Sequence, residues 1–112
     1  GKIALYGILF DVNKATIKSE SEKTLQTVIE YLVSNKSVKI IVVGHTDNTG
    51  VFASNITLSK ERAKAVLEFL VTIGKIDSSR LMSEGVGSLC PVATNTTDSG
   101  RILNRRVEIV RQ

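Results

Sequence analysis

A chain of 112 residues fits a single domain over positions 1–112, and 42% apolar with 23% charged residues is the balance of an ordinary globular protein. Its one cysteine, Cys90, excludes an internal disulfide and a cysteine-rich zinc site, and reads as a small buried or half-buried side chain. The net charge of +4 invites a nucleic-acid reading, but acidic and basic residues alternate through Lys18, Glu20, Glu22, Lys23 and again through Lys60, Glu61, Arg62, Lys64, Glu68. The one basic cluster, Arg101, Arg105, Arg106 and Arg111, has no interleaved aromatics, so no nucleic-acid partner is expected.

Residues 3–10, IALYGILF, are rich in strand formers and predict a first strand, with Gly7 at a bulge or close approach. Ser19 and Glu22 have capping-box spacing, and Leu25, Val28, Ile29 and Leu32 continue at helical spacing, so a helix is expected from Ser19 to about Ser34 with one apolar stripe. Residues 38–43, VKIIVV, form a short β-branched run ending at Gly44 and read as an interior strand. A loop follows from His45 to Leu58. Ser59 then predicts the N-cap of a second helix that buries Ala63, Val66, Leu67 and Leu70 and stops at a C-cap on Gly74. Residues 80–86 suggest a third strand and 105–110 a fourth, separated by a loop from Leu89 to Asn104 that holds the only proline, Pro91. The order β-α-β-α-β-β gives an α+β fold, a two-layer sandwich with helices packed on a mixed sheet.

The apolar runs, Ile40 to Val43 and residues 3–10 among them, are too short to span a bilayer, and the N-terminal segment lacks the layout of a signal peptide. With Gly1 in place of an initiator Met, the expectation is a fragment of a longer protein whose targeting segment lies elsewhere.

Chemistry concentrates in Gly44-His-Thr-Asp-Asn-Thr-Gly50 and the Asn55, Leu58, Ser59, Arg62 that follow. Asp47 falls just past the end of an interior strand, where open α/β sheets bind ligands, although Asp, Asn, Thr and Gly also make turns of their own. With Ser59 as N-cap, Arg62 would stand in the first helical turn, against a macrodipole that disfavours a cation there by ~0.3–1 kcal/mol. A guanidinium beside helix N–H groups suits a carboxylate ligand; the alternative is a solvated arginine covering apolar surface. Arg105 shares strand parity with Val107 and Ile109 and, at the rim, calls for an anionic ligand or an ion pair with Asp11 or Asp47. His45 and Asp47 have no second histidine or carboxylate cluster to complete a metal site, and no cofactor motif is present. Cys90 and His45 are the only candidate nucleophile and base, with nothing to align them, so an enzyme is not expected.

Four pieces in order, FDVNKATI at 10–17, GHTDNTG at 44–50, N-x-x-L-S-x-x-R-A-x-x-V from Asn55 to Val66 and G-R-x-x-N-R-R-V-E-I from Gly100 to Ile109, resemble the OmpA-like peptidoglycan-binding domain family over about Leu9 to Val110. The resemblance implies a mixed four-stranded sheet and non-covalent binding of peptidoglycan through the diaminopimelate of its peptide stem. The domain would sit in the periplasm, tethered to the outer membrane by other parts of the parent protein without itself entering the membrane. In that family the aspartate of the HTD motif meets the ligand's ammonium and the arginine of L-S-x-x-R its carboxylate, positions matched here by Asp47 and Arg62. Asn13, Thr49, Asn55 and Arg105 match supporting polar positions. The alternative is a protein-interaction or oligomerisation module of an envelope protein, a weak homodimer included, with no wall ligand.

Overall fold

The computed structural model describes the backbone of residues 2–6 and the whole of residues 17–112. Its elements are β1 (Lys2–Tyr6), α1 (Glu22–Ser34), β2 (Ile40–Gly44), α2 (Phe52–Thr72), β3 (Leu81–Gly85), α3 (Asp98–Asn104) and β4 (Arg106–Arg111), with 3-10 turns at Ser19–Ser21 and Ser78–Arg80. They make a mixed α+β fold of three helices and a mixed sheet. Along the sheet the strands lie in the order β1-β4-β2-β3: β4 pairs antiparallel with both β1 and β2, and β2 pairs parallel with β3.

The apolar patterns account for the core. Leu25, Ile29 and Leu32 of α1 and Ala63, Val66 and Leu70 of α2 bury one stripe each, against Ile40 and Val42 of β2, Leu81 of β3 and Val107 and Ile109 of β4. Each fully buried leucine or isoleucine contributes ~1.5–3 kcal/mol from the area removed from water. Val28 and Leu67, on the margins of the two stripes, are partly buried against this cluster. No helix among the described residues is long and apolar enough to cross a membrane.

Several local expectations are corrected. The first helix opens with a 3-10 turn over Ser19–Ser21, so Ser19 lies inside that turn, Ser21 takes the cap position of α1, and the Ser19–Glu22 capping box does not form. The second helix starts at Phe52, seven residues before Ser59, and the loop after β2 shrinks accordingly. The stretch carries no buried stripe that would mark it: Phe52, Ala53, Ser54 and Thr57 are exposed, and Ile56 is only half-buried beside Gly87. At the other end Ile73 is the C-cap, and the left-handed turn falls on Lys75 with φ 56°. Gly74 answers a steric demand instead: a Cβ there would stand 2.6 Å from the Leu70 carbonyl oxygen and 2.7 Å from Ile29 Cγ1.

The stretch 89–104 is not all loop, since its last turns form α3, which makes the element order β-α-β-α-β-α-β. Thr97 caps α3 by accepting the Gly100 N–H at 3.1 Å, with Asp98 favourably placed in the first turn. Asn104 then binds the preceding loop to the helix end, its Oδ1 accepting from Val92 N–H and Ala93 N–H and its amide donating to the Ala93 carbonyl. Cys90 is exposed, contrary to the buried or half-buried position expected of it. The predicted strand residues 7–10, with Gly7, and also Asp11 and Asn13, lie outside the described residues.

Candidate functional site

The site is assembled where α2 crosses the carboxyl ends of β2 and β3. Gly44 and Gly85 are register partners there, and a Cβ on Gly44 would come within 2.2 Å of the Ser59 carbonyl oxygen, while one on Gly85 would come within 2.2 Å of the Lys60 nitrogen. The two bare backbones therefore let the helix settle directly on the sheet. Ser59, buried in the middle of α2, locks that contact: its hydroxyl donates to the Ile56 carbonyl at 2.8 Å and accepts the Gly87 N–H at 3.0 Å. Ser59 is thus a packing residue inside the helix and not its cap. Arg62 consequently lies ten residues past Phe52, away from the first turn, and the macrodipole argument for its placement does not hold.

The segment leaving β2 is held backbone first. His45 N–H donates to the Arg106 carbonyl at 2.9 Å, Thr46 N–H to the Gly87 carbonyl at 2.8 Å, and the Thr46 hydroxyl to the Asp47 carbonyl at 2.7 Å. Asp47 is buried, with 6% of its surface exposed, and both carboxylate oxygens are engaged: Oδ1 accepts the Thr49 N–H at 2.8 Å, and Oδ2 accepts from Arg105 Nη1. Burial alone would push the Asp47 carboxyl up. The hydrogen bonds from the Thr49 backbone and side chain and from Arg105, with the Arg105 charge, outweigh that and hold it below the ordinary aspartate value.

Asn55, in the first turn of α2, donates its amide to the Thr49 carbonyl at 2.9 Å and so ties the loop to the helix. Seven residues on, two turns along the same flank, comes the half-buried Arg62. Its pKa is lowered first by desolvation and then by repulsion from Arg105, while Asp47 pulls it the other way. Arginine stays charged under such shifts. Asp47, Arg62 and Arg105 therefore share one electrostatic neighbourhood although they come from the β2–α2 loop, α2 and the α3–β4 junction. A groove lined by Ala53, Ser54, Asn55, Thr57, Leu58 and Glu61 runs along the start of α2 and meets this cluster at Asn55.

Of the six candidate positions, five are described, and Asp47, Thr49, Asn55 and Arg105 are joined by direct hydrogen bonds, with Arg62 coupled electrostatically. Arg105 realises the ion pair with Asp47 that its parity left open. What sequence reasoning missed is the layer behind the site. Arg106 and Glu108 point to the sheet face opposite Val107 and Ile109 and are still buried, at 4% and 5% exposure. Arg106 Nε donates to Glu108 Oε2 at 2.6 Å and Nη2 to the Cys90 carbonyl at 2.9 Å, and His45 Nε2 stands 3.6 Å from Glu108 Oε1. The signal was present as opposite charges two apart on one strand. Among the described residues no cluster of histidine, cysteine or carboxylates could hold a metal ion.

This arrangement presents one anchored carboxylate and two guanidiniums, which suits a ligand group bearing both signs of charge. Residues 9–105 match the sequence model of the OmpA family. Over 100 residues the chain is 44% identical to outer membrane protein A of Bordetella avium, covering 89% of this chain and 51% of that protein. It is 38% identical over 103 residues to the peptidoglycan-binding protein ArfA of Mycobacterium bovis, covering 92% of this chain and 31% of that one. The chain thus spans about half the length, or less, of these curated relatives. The crystal structure of the peptidoglycan-associated lipoprotein from Burkholderia pseudomallei matches with a TM-score of 0.82 at 26% identity, covering 97% of this chain and 89% of that one.

Proposed function

The chain belongs to the OmpA family, and from that premise we propose that it binds peptidoglycan without covalent chemistry, through the diaminopimelate of the peptide stem, and so anchors an envelope protein to the cell wall. Asp47 receives the ligand's ammonium and Arg62 its carboxylate, with Arg105, Thr49 and Asn55 shaping the site and Asn13 a further candidate contact. The observation that carries the reading is the convergence of an anchored Asp47 with Arg62 and Arg105 from three separate parts of the chain. An amino-acid head group offers both charges at one carbon, and a site with fixed charges of both signs recognises it with two interactions at once. ArfA is named for peptidoglycan binding, and the lipoprotein for its association with peptidoglycan, which supports the same choice of polymer. The parent protein would hold the domain in the periplasm beside the outer membrane.

Affinity for a single head group should be modest, on the order of 10–100 μM, and is raised at the wall by many sites on one polymer. Asp47→Ala and Arg62→Ala should each abolish pull-down by insoluble peptidoglycan under conditions where the variant is folded; Arg62→Ala should leave the thermal midpoint nearly unchanged, whereas Asp47→Ala should lower it by leaving the Thr49 N–H and Arg105 without their carboxylate. Pull-down retained by both variants would refute the proposal. A titration of meso-diaminopimelate into the isotope-labelled domain, followed at the amides of residues 44–62, should show saturable shifts that Arg62→Ala loses.

A further inference from the structure

We propose that the end of the domain opposite Asp47, where β2 and β3 begin, is a docking surface for an anionic phospholipid bilayer. It meets the bilayer through Lys36, Lys39, Lys75 and Arg111, all exposed, and through two aliphatic side chains, Val33 and Ile73, that stand exposed among them.

Topology gathers these residues at one end. Lys36 and Lys39 lie in the turn from α1 to β2, Lys75 in the turn from α2 to β3, and Arg111 closes β4. Ile40 is the register partner of both Leu81 and Arg111, and the Gln112 N–H donates to the Lys39 carbonyl at 2.9 Å, so the three strands reach this end level with one another. The last turns of α1 and α2 meet here as well, since a Cβ on Gly74 would stand 2.7 Å from Ile29 Cγ1. Val33, one turn on from Ile29, is 53% exposed, and Ile73, beside Gly74, is 60% exposed.

The charge at this end is uncompensated. None of the four cations makes an ion pair among the described residues. Asp77 is the one carboxylate in the two turns, and its Oδ1 accepts the Ser79 N–H at 2.9 Å. Glu30 and Glu68 stand a helical turn back from the ends of α1 and α2. Lys75 keeps its cation against the preference of the backbone, because its φ of 56° is a conformation that glycine adopts at less steric cost. Such a surface suits a bilayer better than a shaped protein partner. A protein interface is centred on aromatic residues, methionine and arginine, whereas lysines on long stems with aliphatic side chains between them match a diffuse negative potential above a shallow apolar layer. The domain would then hold the wall at one end and lie against a membrane at the other.

The test is co-sedimentation of the domain with vesicles of equal parts phosphatidylglycerol and phosphatidylcholine, against vesicles of phosphatidylcholine alone, in about 0.1 M salt, where exposed charges act over roughly 10 Å. The wild type should sediment with the first and not with the second, and added salt should release it. Lys36→Gln with Lys39→Gln, and Lys75→Gly by itself, should weaken binding by about fivefold for each charge removed. Lys75→Gly also relieves the left-handed backbone, so its urea midpoint should stay near that of the wild type and its loss of binding cannot be put down to unfolding. Lys60→Gln with Lys64→Gln removes two exposed lysines from α2 at least about 12 Å of helix from this end, and should leave vesicle binding nearly unchanged. An equal loss in that control would show that overall charge, and not this surface, binds the bilayer. Wild type that ignores anionic vesicles, as it would if an acidic protein were the partner, or that sediments equally with neutral ones, would also overturn the proposal. Peptidoglycan pull-down reads the opposite end and should be the same in the wild type and the Lys36, Lys39 and Lys75 variants, so the two readings stand or fall separately.

Discussion

Arginines stand at both ends of the parallel pair β2–β3, and they are used in opposite ways. At the amino end Arg80 is spent on the backbone: Nε donates to the Val38 carbonyl at 3.0 Å, and Nη2 to the carbonyls of Leu32 and Asn35 at 2.9 and 2.8 Å. These are the open acceptors left where α1 stops and the chain turns into β2, so the guanidinium closes a helix end. At the carboxyl end Arg105 meets a carboxylate, and Arg62 lies close enough to Arg105 and Asp47 to feel both charges. The first arrangement satisfies neutral backbone acceptors, of which the Asn35 carbonyl also accepts the Val38 N–H at 3.0 Å. The second brings two guanidiniums to the neighbourhood of one carboxylate, an arrangement that suits a ligand group bearing charge. Residue type alone cannot separate the two roles; the acceptor does.

The sharpest way to break the comparison is to lift α2 off the carboxyl end. Gly44→Ala or Gly85→Ala drives a Cβ into backbone atoms at 2.2 Å that no rotamer change can move. Each substitution should cost about 3 kcal/mol in urea unfolding and weaken peptidoglycan pull-down as well, because Arg62 and Asn55 ride on the displaced helix. Unchanged unfolding midpoints in both would mean that the close approach is not a constraint. Arg80→Ala is the complementary change at the other end. It should cost ~1–3 kcal/mol by leaving carbonyls unsatisfied, and pull-down of the folded variant should match the wild type. A variant that kept its stability and lost binding would reverse the roles assigned to the two ends.

The carboxyl end of this division was legible in the sequence, whereas no role was read for Arg80, and the gaps have physical causes. The β-branched run before Gly44 and the stripe through Leu25, Ile29 and Leu32 are long enough for periodicity to decide, and they marked β2 and α1. The polar candidates round Asp47 came from motif spacing, which survives errors in helix boundaries. Arg62 kept its place as a candidate although the argument from a Ser59 cap failed. Ser59 misled because a serine before an apolar stripe looks the same whether it caps a helix or sits in its middle with its hydroxyl bonded to Ile56 and Gly87. The start of α2 and all of α3 were hidden because neither Phe52–Leu58 nor Asp98–Asn104 buries an apolar stripe: no residue of the first is fully buried, and in the second only Gly100 and Asn104 are. The shared parity of Arg106 and Glu108 was legible, but their burial was not, because one strand's alternation says which face is apolar, not whether the other face is covered.

The smallest expected effect is also the one that probes the site without touching its packing. The carboxyl of Asp47 titrates below its ordinary value, since the Thr49 and Arg105 hydrogen bonds outweigh burial. A depressed folded-state pKa means that the unfolded chain takes up the proton first as pH falls. The stabilisation is therefore complete above the ordinary aspartate value of about 3.9 and is lost as pH drops through the lowered one. Urea midpoints from pH 6 to pH 2 should fall more steeply in the wild type than in Asp47→Asn, which has no proton to take up at this position. Arg105→Gln should lie between them, because it removes the outer partner of Asp47 and leaves the Thr49 N–H in place. Identical acid limbs in the wild type and Asp47→Asn would show that the anchored carboxylate contributes nothing to the fold. An intermediate limb for Arg105→Gln would divide the hold on Asp47 between the Thr49 backbone donor and the Arg105 side chain.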